Sequence, residues 1–197
     1  MRIARFLVAA CCVAGLLAGC SSGSSKSVET ATTPTDSAIK YPAPANAMEL
    51  AVKAGLTPET AERLQYHVHA HLDWFDNGKP VVVPGGIGID MSSPDVQKGE
   101  IDGYPAYGGI KGCAKPCISP LHTHDATGVI HTESATRKNN TFGQFLTEWN
   151  VQLPDGAQVY VNGSKFTGDP STISLSNNKE IAVVVGTPPA KIPSSAG

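Results

Sequence analysis

Residues 66–74, with the sequence YHVHAHLDW, constrain the fold more than any other stretch of this chain. Val68, Ala70 and Leu72 lie on one side of an extended backbone, and the histidines between them lie on the other. A period of two is typical of a β-strand whose apolar face covers a core. We therefore predict a sheet that carries a row of imidazoles on the face opposite its hydrophobic core.

Turn signals predict the other strands of this sheet. The Asn-Gly pair in DNGKP is typical of a tight hairpin, in which the next segment is the return strand. The further predicted strands are VVVPGGIGI at 81–89, TGVIHTES at 127–134, AQVYVNGSKF at 157–166 and TISLSNNKEIAVVVG at 172–186. The stretch 90–119 is rich in Gly, Pro and Tyr and is predicted to be a long loop.

Three segments carry helix signals. NAMELAVKAGL at 46–56 and TPETAERLQ at 57–65 begin with residues that cap helices. TFGQFLTEW at 141–149 has a capping box and spaces its aromatic residues along one helical face, which indicates a core helix. Together these elements predict an α+β fold with a mostly antiparallel sheet and one packed helix, arranged like a β-grasp. A small β-sandwich or barrel is the alternative.

The N-terminal segment has the pattern of an export signal. Arg2 and Arg5 precede an apolar run that is too short to span a membrane, so residues 1–19 are predicted to be a signal peptide. The following LAGC resembles the lipobox of bacterial lipoproteins. This resemblance implies that Cys20 carries the lipid, palmitate included, and anchors the chain to a membrane outside the cytoplasm, in a bacterial cell envelope.

Composition divides the rest of the chain into three parts. Residues 20–47 are small, polar and Pro-containing, and they are predicted to be a flexible tether. A single domain is predicted at 48–188, followed by a Pro-rich tail at 189–197. The 15 Lys and Arg against 17 Asp and Glu leave no basic excess, which argues against a nucleic-acid partner.

Cys113 and Cys117 are the cysteines that follow the leader, in the sequence CAKPC. An exported protein meets oxidising conditions, which favours a disulfide between them. A pair of thiolates on a metal ion is the alternative.

All 6 histidines fall within two short segments, and this segregation predicts a metal site. The candidate ligands are His67, His69, His71, His122, His124 and His131. Asp125 and Glu133 lie among them, and each is a candidate ligand, hydrogen-bond partner of an imidazole or proton acceptor. The alternative is a histidine-carboxylate network without a metal, which would stiffen the domain or respond to pH.

Strand geometry limits how the three histidines at 67–71 can share an ion. Alternate residues of a strand lie about 6.6 Å apart, so the first and third are about 13 Å apart, too far for one ion. We expect two neighbours to bind one ion together with the second segment, or two ions to lie side by side. Imidazole ligands suit several transition metals, and we favour copper or zinc.

The segments HVHAHLDWFDNGKPVVVPGGIGI, LHTHDATGVIHTES and TFGQFLTEW together resemble a group of exported bacterial lipoproteins and membrane-attached proteins. This resemblance covers most of residues 67–149 and implies that the two histidine segments act together. It implies no activity.

These patterns favour a lipid-anchored protein that captures, buffers or delivers copper or zinc, with an envelope metal donor or acceptor protein as its partner. No nucleophile motif is recognisable, which favours a binding protein over an enzyme. One alternative is a metalloenzyme outside the cytoplasm, either a hydrolase or hydratase that activates water or a copper oxidoreductase. A structural or interaction domain that binds no metal is the other.

Overall fold

The computed structural model describes residues 39–195. The predicted signal peptide, Cys20 and most of the predicted tether lie outside this range. Within 39–195, no helix has both the length and the apolar character needed to cross a membrane.

The chain forms two helices, one short 3-10 helix and nine strands over the described residues. The helices are α1 (Ala47–Lys53) and α2 (Phe142–Trp149), with the 3-10 turn at Pro170–Thr172. The strands are β1 (Tyr66–Asp76), β2 (Lys79–Val81), β3 (Gln97–Ile101), β4 (Tyr104–Gly108), β5 (Leu121–His122), β6 (Val129–Ser134), β7 (Gln158–Val161), β8 (Ser164–Lys165) and β9 (Lys179–Val185).

Seven of these strands form one mixed sheet in the order β5-β6-β1-β9-β7-β8, with β2 also paired to β1. The pairing of β1 with β9 is parallel, and all others are antiparallel. Helix α2 lies between β6 and β7 in the chain, and the central strands β1 and β9 are the first and last of the sheet. The α+β prediction is therefore confirmed, and the sheet does not close into the alternative barrel.

The hydrophobic core lies between one face of this sheet and α2. Leu72 and Trp74 of β1 are almost fully buried there against Phe142, Phe145 and Trp149 of α2. The ring of Trp74 meets that of Trp149 edge-on, with centroids 5.6 Å apart. The period of two in β1 therefore buries its apolar face and leaves its histidines on the other.

Helix α2 begins and ends as its sequence predicts. Gln144 N–H donates to the Thr141 hydroxyl, and Thr141 N–H donates to the Gln144 side chain, which completes the capping box. Asn150 ends the helix in the left-handed region, with φ 56°.

The packed chain begins before the predicted domain boundary at residue 48. Ile39 is buried, and the ring of Tyr41 lies 5.5 Å from that of Trp74 between centroids. The Tyr41 carbonyl accepts a hydrogen bond of 3.0 Å from Nε1 of Trp149. Residues assigned to the tether thus contribute to the core.

The helix predicted at 57–65 is wrong. Glu59 instead exchanges backbone hydrogen bonds with the 117–118 segment, donating to the Ile118 carbonyl at 2.7 Å and accepting from Cys117 N–H at 2.9 Å. A helix this short has little stability of its own, so backbone pairing to a distant segment outweighs its capping signals.

Two strand predictions also need correction. The return strand after the Asn77-Gly78 turn ends at Val81, and the glycines that follow turn the chain, Gly86 and Gly88 having φ of 93° and 71°. The stretch 90–119 is not only a loop. It contains the hairpin β3-β4 around Asp102-Gly103, an Asp-Gly turn signal that our interpretation overlooked.

Candidate metal centre

Strands β5, β6 and β1 bring the two histidine segments together on one face of the sheet. His131 of β6 lies opposite His69 of β1 on one side and His122 of β5 on the other. Glu133 of β6 lies opposite His67. Register partners across a sheet have Cβ atoms about 5 Å apart, which allows their side chains to reach a common ion.

The inner cluster consists of His122, His124, His131 and Glu133, whose ligand atoms all lie within 4.8 Å of one another. Nε2 of His122 is 3.2 Å from Nε2 of His124. Oε1 of Glu133 is 3.3 Å from Nδ1 of His131 and 3.9 Å from Nε2 of His122. His122 and Glu133 are buried, so the inner cluster is largely shielded from water.

Backbone carbonyls set the tautomers of two of these histidines. Nδ1–H of His122 donates to the Ser119 carbonyl at 2.9 Å, and Nδ1–H of His124 donates to the Tyr107 carbonyl at 2.7 Å. A carbonyl can only accept, so each Nδ1 carries the proton and each Nε2 presents a free lone pair. The two rings are therefore oriented as metal ligands are.

The outer cluster consists of His67, His69 and the same His131, again with all ligand atoms within 4.8 Å. Nε2 of His67 is 2.8 Å from Nε2 of His69 and 3.5 Å from Nδ1 of His131. His67 and His69 are exposed, unlike the inner residues. The outer cluster thus opens to solvent.

The electrostatics favour a cation in the inner cluster. Burial lowers the pKa of His122 to about 3, and burial also lowers the pKa of His124 and that of His69. Burial alone would raise the pKa of Glu133, but the hydrogen bond with His131 and the charges of nearby histidines outweigh it, and that pKa falls to about 2. His122 and His124 are therefore neutral imidazoles and Glu133 is a carboxylate at neutral pH.

The spacing of the ligand atoms fits a transition metal. Zinc-nitrogen bonds of about 2.0 to 2.1 Å place neighbouring ligands of a tetrahedral site about 3.3 to 3.4 Å apart. Three of the six ligand pairs in the inner cluster are 3.2, 3.3 and 3.9 Å apart, and all its ligand atoms lie within 4.8 Å of one another. Clusters able to hold a metal ion are thus present, as the sequence predicted.

His71 is placed apart from the other five histidines, in a cluster with Asp73 and Glu180. Nδ1 of His71 is 3.0 Å from Oε2 of Glu180, and Nε2 is 2.8 Å from the Thr127 carbonyl. The hydrogen bond with Glu180 raises the pKa of His71, and burial raises the pKa of Glu180. His71 thus lies in a third group that could hold a metal ion, separate from the inner and outer clusters, and there it pairs with Glu180.

Asp125 belongs to none of the ligand clusters in residues 39–195. Its Oδ1 accepts hydrogen bonds from the backbone N–H and the hydroxyl of Thr127, the former at 2.9 Å. Asp125 thus shapes the turn between the two halves of the second histidine segment.

Cys113 and Cys117 form a disulfide, with Cα atoms 6.3 Å apart. Neither sulfur belongs to a ligand cluster of the described residues. The two cysteines are therefore joined to each other, and the alternative of a thiolate metal site at this pair is wrong.

The loop at 84–88 supports the site, and sequence reasoning missed this role. The Thr123 hydroxyl donates to the Pro84 carbonyl at 2.7 Å, and Thr123 N–H donates to the Ile87 carbonyl at 3.1 Å. A Cβ on Gly88 would lie 2.3 Å from the Leu121 carbonyl oxygen. The glycine-rich sequence PGGIG could have indicated this role, because backbone segments in such close contact require residues without side chains.

Glu62 was also overlooked, because its segment was predicted to be a helix. Its Oε1 lies 3.9 Å from Nε2 of His124, which places a second carboxylate beside the inner cluster.

No protein family, curated protein or solved structure matches this chain, so the description of the site rests on the distances and burial given above.

Proposed function

We propose that this protein is a lipid-anchored metal-binding protein that captures, buffers or delivers copper or zinc outside the cytoplasm. The observation that carries the proposal is the inner cluster. Three imidazoles and one carboxylate, supplied by β5, the residues just after it and the neighbouring strand β6, bring their ligand atoms within 4.8 Å of one another, as a tetrahedral metal site requires.

The ligand chemistry supports copper or zinc over harder cations. Magnesium and calcium prefer oxygen ligands, whereas imidazole nitrogen suits zinc and copper. The inner cluster has one carboxylate against three histidines.

The number of ligands favours binding over catalysis. Structural zinc sites have four protein ligands, whereas catalytic sites keep one position open for water or substrate. The inner cluster supplies four side chains. The exposed His67 and His69 lie next to it and give an ion a route from solvent, which suits capture and release.

The membrane anchor is supported by the LAGC motif and by the polar segment after it, which would hold the folded domain away from the lipid surface. A protein so placed would exchange its metal with an envelope donor or acceptor protein. Membrane fractionation of the wild-type protein and the Cys20→Ser variant tests the anchor. Equal recovery of both in the membrane fraction would contradict it.

Metal analysis of the purified protein without a histidine tag tests the metal site. We expect bound copper or zinc, and a lower melting temperature after chelation. Free metal at about 100 times the Kd stabilises the folded state by about 2.7 kcal/mol, which raises the melting temperature by about 5 to 10 °C.

The double variant His122→Gln/His124→Gln should lose most of this metal-dependent shift, because it removes two of the four side chains of the buried inner cluster. The His71→Gln variant is the matched control, because His71 lies in the separate group with Glu180, and it should keep the shift. If the wild-type protein binds no metal, and neither zinc nor copper raises its melting temperature, the proposed function is wrong.

A further inference from the structure

We propose that the inner and outer clusters hold two transition-metal ions side by side, with His131 and Glu133 between them. This inference rests on the proposed function, since it adds a second ion to the same face of the sheet. The two clusters have different histidines, except for His131, which belongs to both.

The nitrogen atoms of the outer cluster are arranged for a ligand role. Nε2 of His67 lies 2.8 Å from Nε2 of His69 and 3.5 Å from Nδ1 of His131, so three imidazole nitrogens converge at one point. His67 and His69 are register neighbours of Glu133 and His131 on β6, so the backbone of the sheet fixes their spacing.

Glu133 lies where a bridging carboxylate would. Its Oε1 is 3.0 Å from Nε2 of His67, in the outer cluster, and 3.9 Å from Nε2 of His122, in the inner cluster. Its Oε2 is buried and has no hydrogen-bond partner among the described residues. A buried oxygen without a partner is costly, and a metal ion would satisfy it.

Charge is the main cost of this arrangement, because two divalent cations held in neighbouring clusters would repel each other. Two carboxylates reduce that repulsion. Glu133 lies between the ions, and Oε1 of Glu62 lies 3.9 Å from Nε2 of His124 on the inner side. The outer ion also faces water, which screens its charge.

Equilibrium dialysis against Zn(II), followed by elemental analysis, tests the stoichiometry. We expect two ions per wild-type chain and one in the double variant His67→Gln/His69→Gln, in which both changes are at exposed positions that should not disturb folding. The His71→Gln variant should retain two. One ion in the wild-type chain would overturn this inference and leave the proposed function standing, whereas none would overturn both.

Copper tests whether the two ions are adjacent. Two Cu(II) ions that share a ligand would couple magnetically, so the electron paramagnetic resonance signal of the loaded wild-type protein should fall below its copper content. The His67→Gln/His69→Gln variant should show the full signal of one isolated Cu(II). Two bound copper ions with a full, uncoupled signal in the wild-type protein would place them apart and overturn the shared site.

Discussion

His122 and His131 are register partners on β5 and β6, and their rings stack with centroids 5.3 Å apart and 11° between their planes. His131 is also the register partner of His69 on its other side, so it lies at the centre of both ligand clusters. One side chain thus connects the buried and the exposed parts of the site.

We expect the His131→Gln variant to bind Zn(II) at least about 100-fold more weakly than the wild-type protein, because it loses a nitrogen from both clusters. Changes to groups that merely hydrogen-bond a ligand already weaken metal binding by about 10 to 100-fold. Competition with a chromophoric chelator measures the affinity. Unchanged affinity in this variant would remove His131 from the site.

Gly88 should be intolerant of substitution. Its φ is 71°, and a Cβ there would lie 2.3 Å from the Leu121 carbonyl oxygen and 3.1 Å from Cβ of His122. We expect the Gly88→Ala variant to lose about 2 to 4 kcal/mol of unfolding free energy and to bind metal more weakly.

Urea denaturation of the chelated protein measures the loss in the Gly88→Ala variant. Gly99→Ala is the matched control, since no atom lies within 4 Å of a Cβ at that position. Equal destabilisation of the two variants would argue against a supporting role for the 84–88 loop.

Glu148 of α2 should make stability depend on pH. Its carboxyl is fully buried, neither oxygen has a hydrogen-bond partner of normal geometry, and burial raises its pKa to about 8, an effect that the neighbouring Ser119 reduces only in part. Because the folded-state pKa exceeds the unfolded value of 4.5, this group's contribution to stability is complete below pH 4.5 and declines as the pH rises through about 8.

The Glu148→Gln variant should lack this decline, because glutamine stays neutral at every pH. We expect the wild-type protein to lose a few kcal/mol relative to this variant between about pH 5 and 9. Thermal unfolding of the chelated proteins across that range measures the difference. Parallel pH profiles would show that Glu148 does not ionise in this window.

Tyr41 should contribute to stability although it lies before the predicted domain boundary. Its ring contacts both core tryptophans, and its carbonyl accepts from Nε1 of Trp149. We expect Tyr41→Ala to cost about 2 kcal/mol in unfolding free energy, whereas Val52→Ala, at a residue 63% exposed, should cost much less. A neutral Tyr41→Ala variant would place the edge of the folded domain after residue 41.

The elements that periodicity and capping describe well were predictable from the sequence. The period of two in β1 and the capping box of α2 led to the correct α+β fold, because both signals arise from residues close together in the chain. The helix predicted at 57–65 was wrong because the backbone of Glu59 pairs with that of Ile118, a distant residue that no local pattern indicates.

The spacing of residues in the sequence predicted only part of the candidate metal site. It predicted that the histidines would gather into clusters able to hold a metal, and the structure contains them. It did not separate His71 from its neighbours, because Glu180 approaches His71 through the parallel pairing of β1 with β9, at the far end of the chain. The carbonyls of Ser119 and Tyr107 were equally inaccessible, since backbone groups leave no signature in a sequence.

Alternation along β1 places Ala70, Leu72 and Trp74 in the core, whereas His67, His69 and His71 lie on the opposite face. A substitution on the ligand face therefore leaves the packing beneath α2 untouched. The exposed His67 and His69 on this face can therefore be replaced with little effect on the stability of the core. The two faces of β1 thus separate the residues that determine stability from the exposed side chains, which can vary without changing the fold.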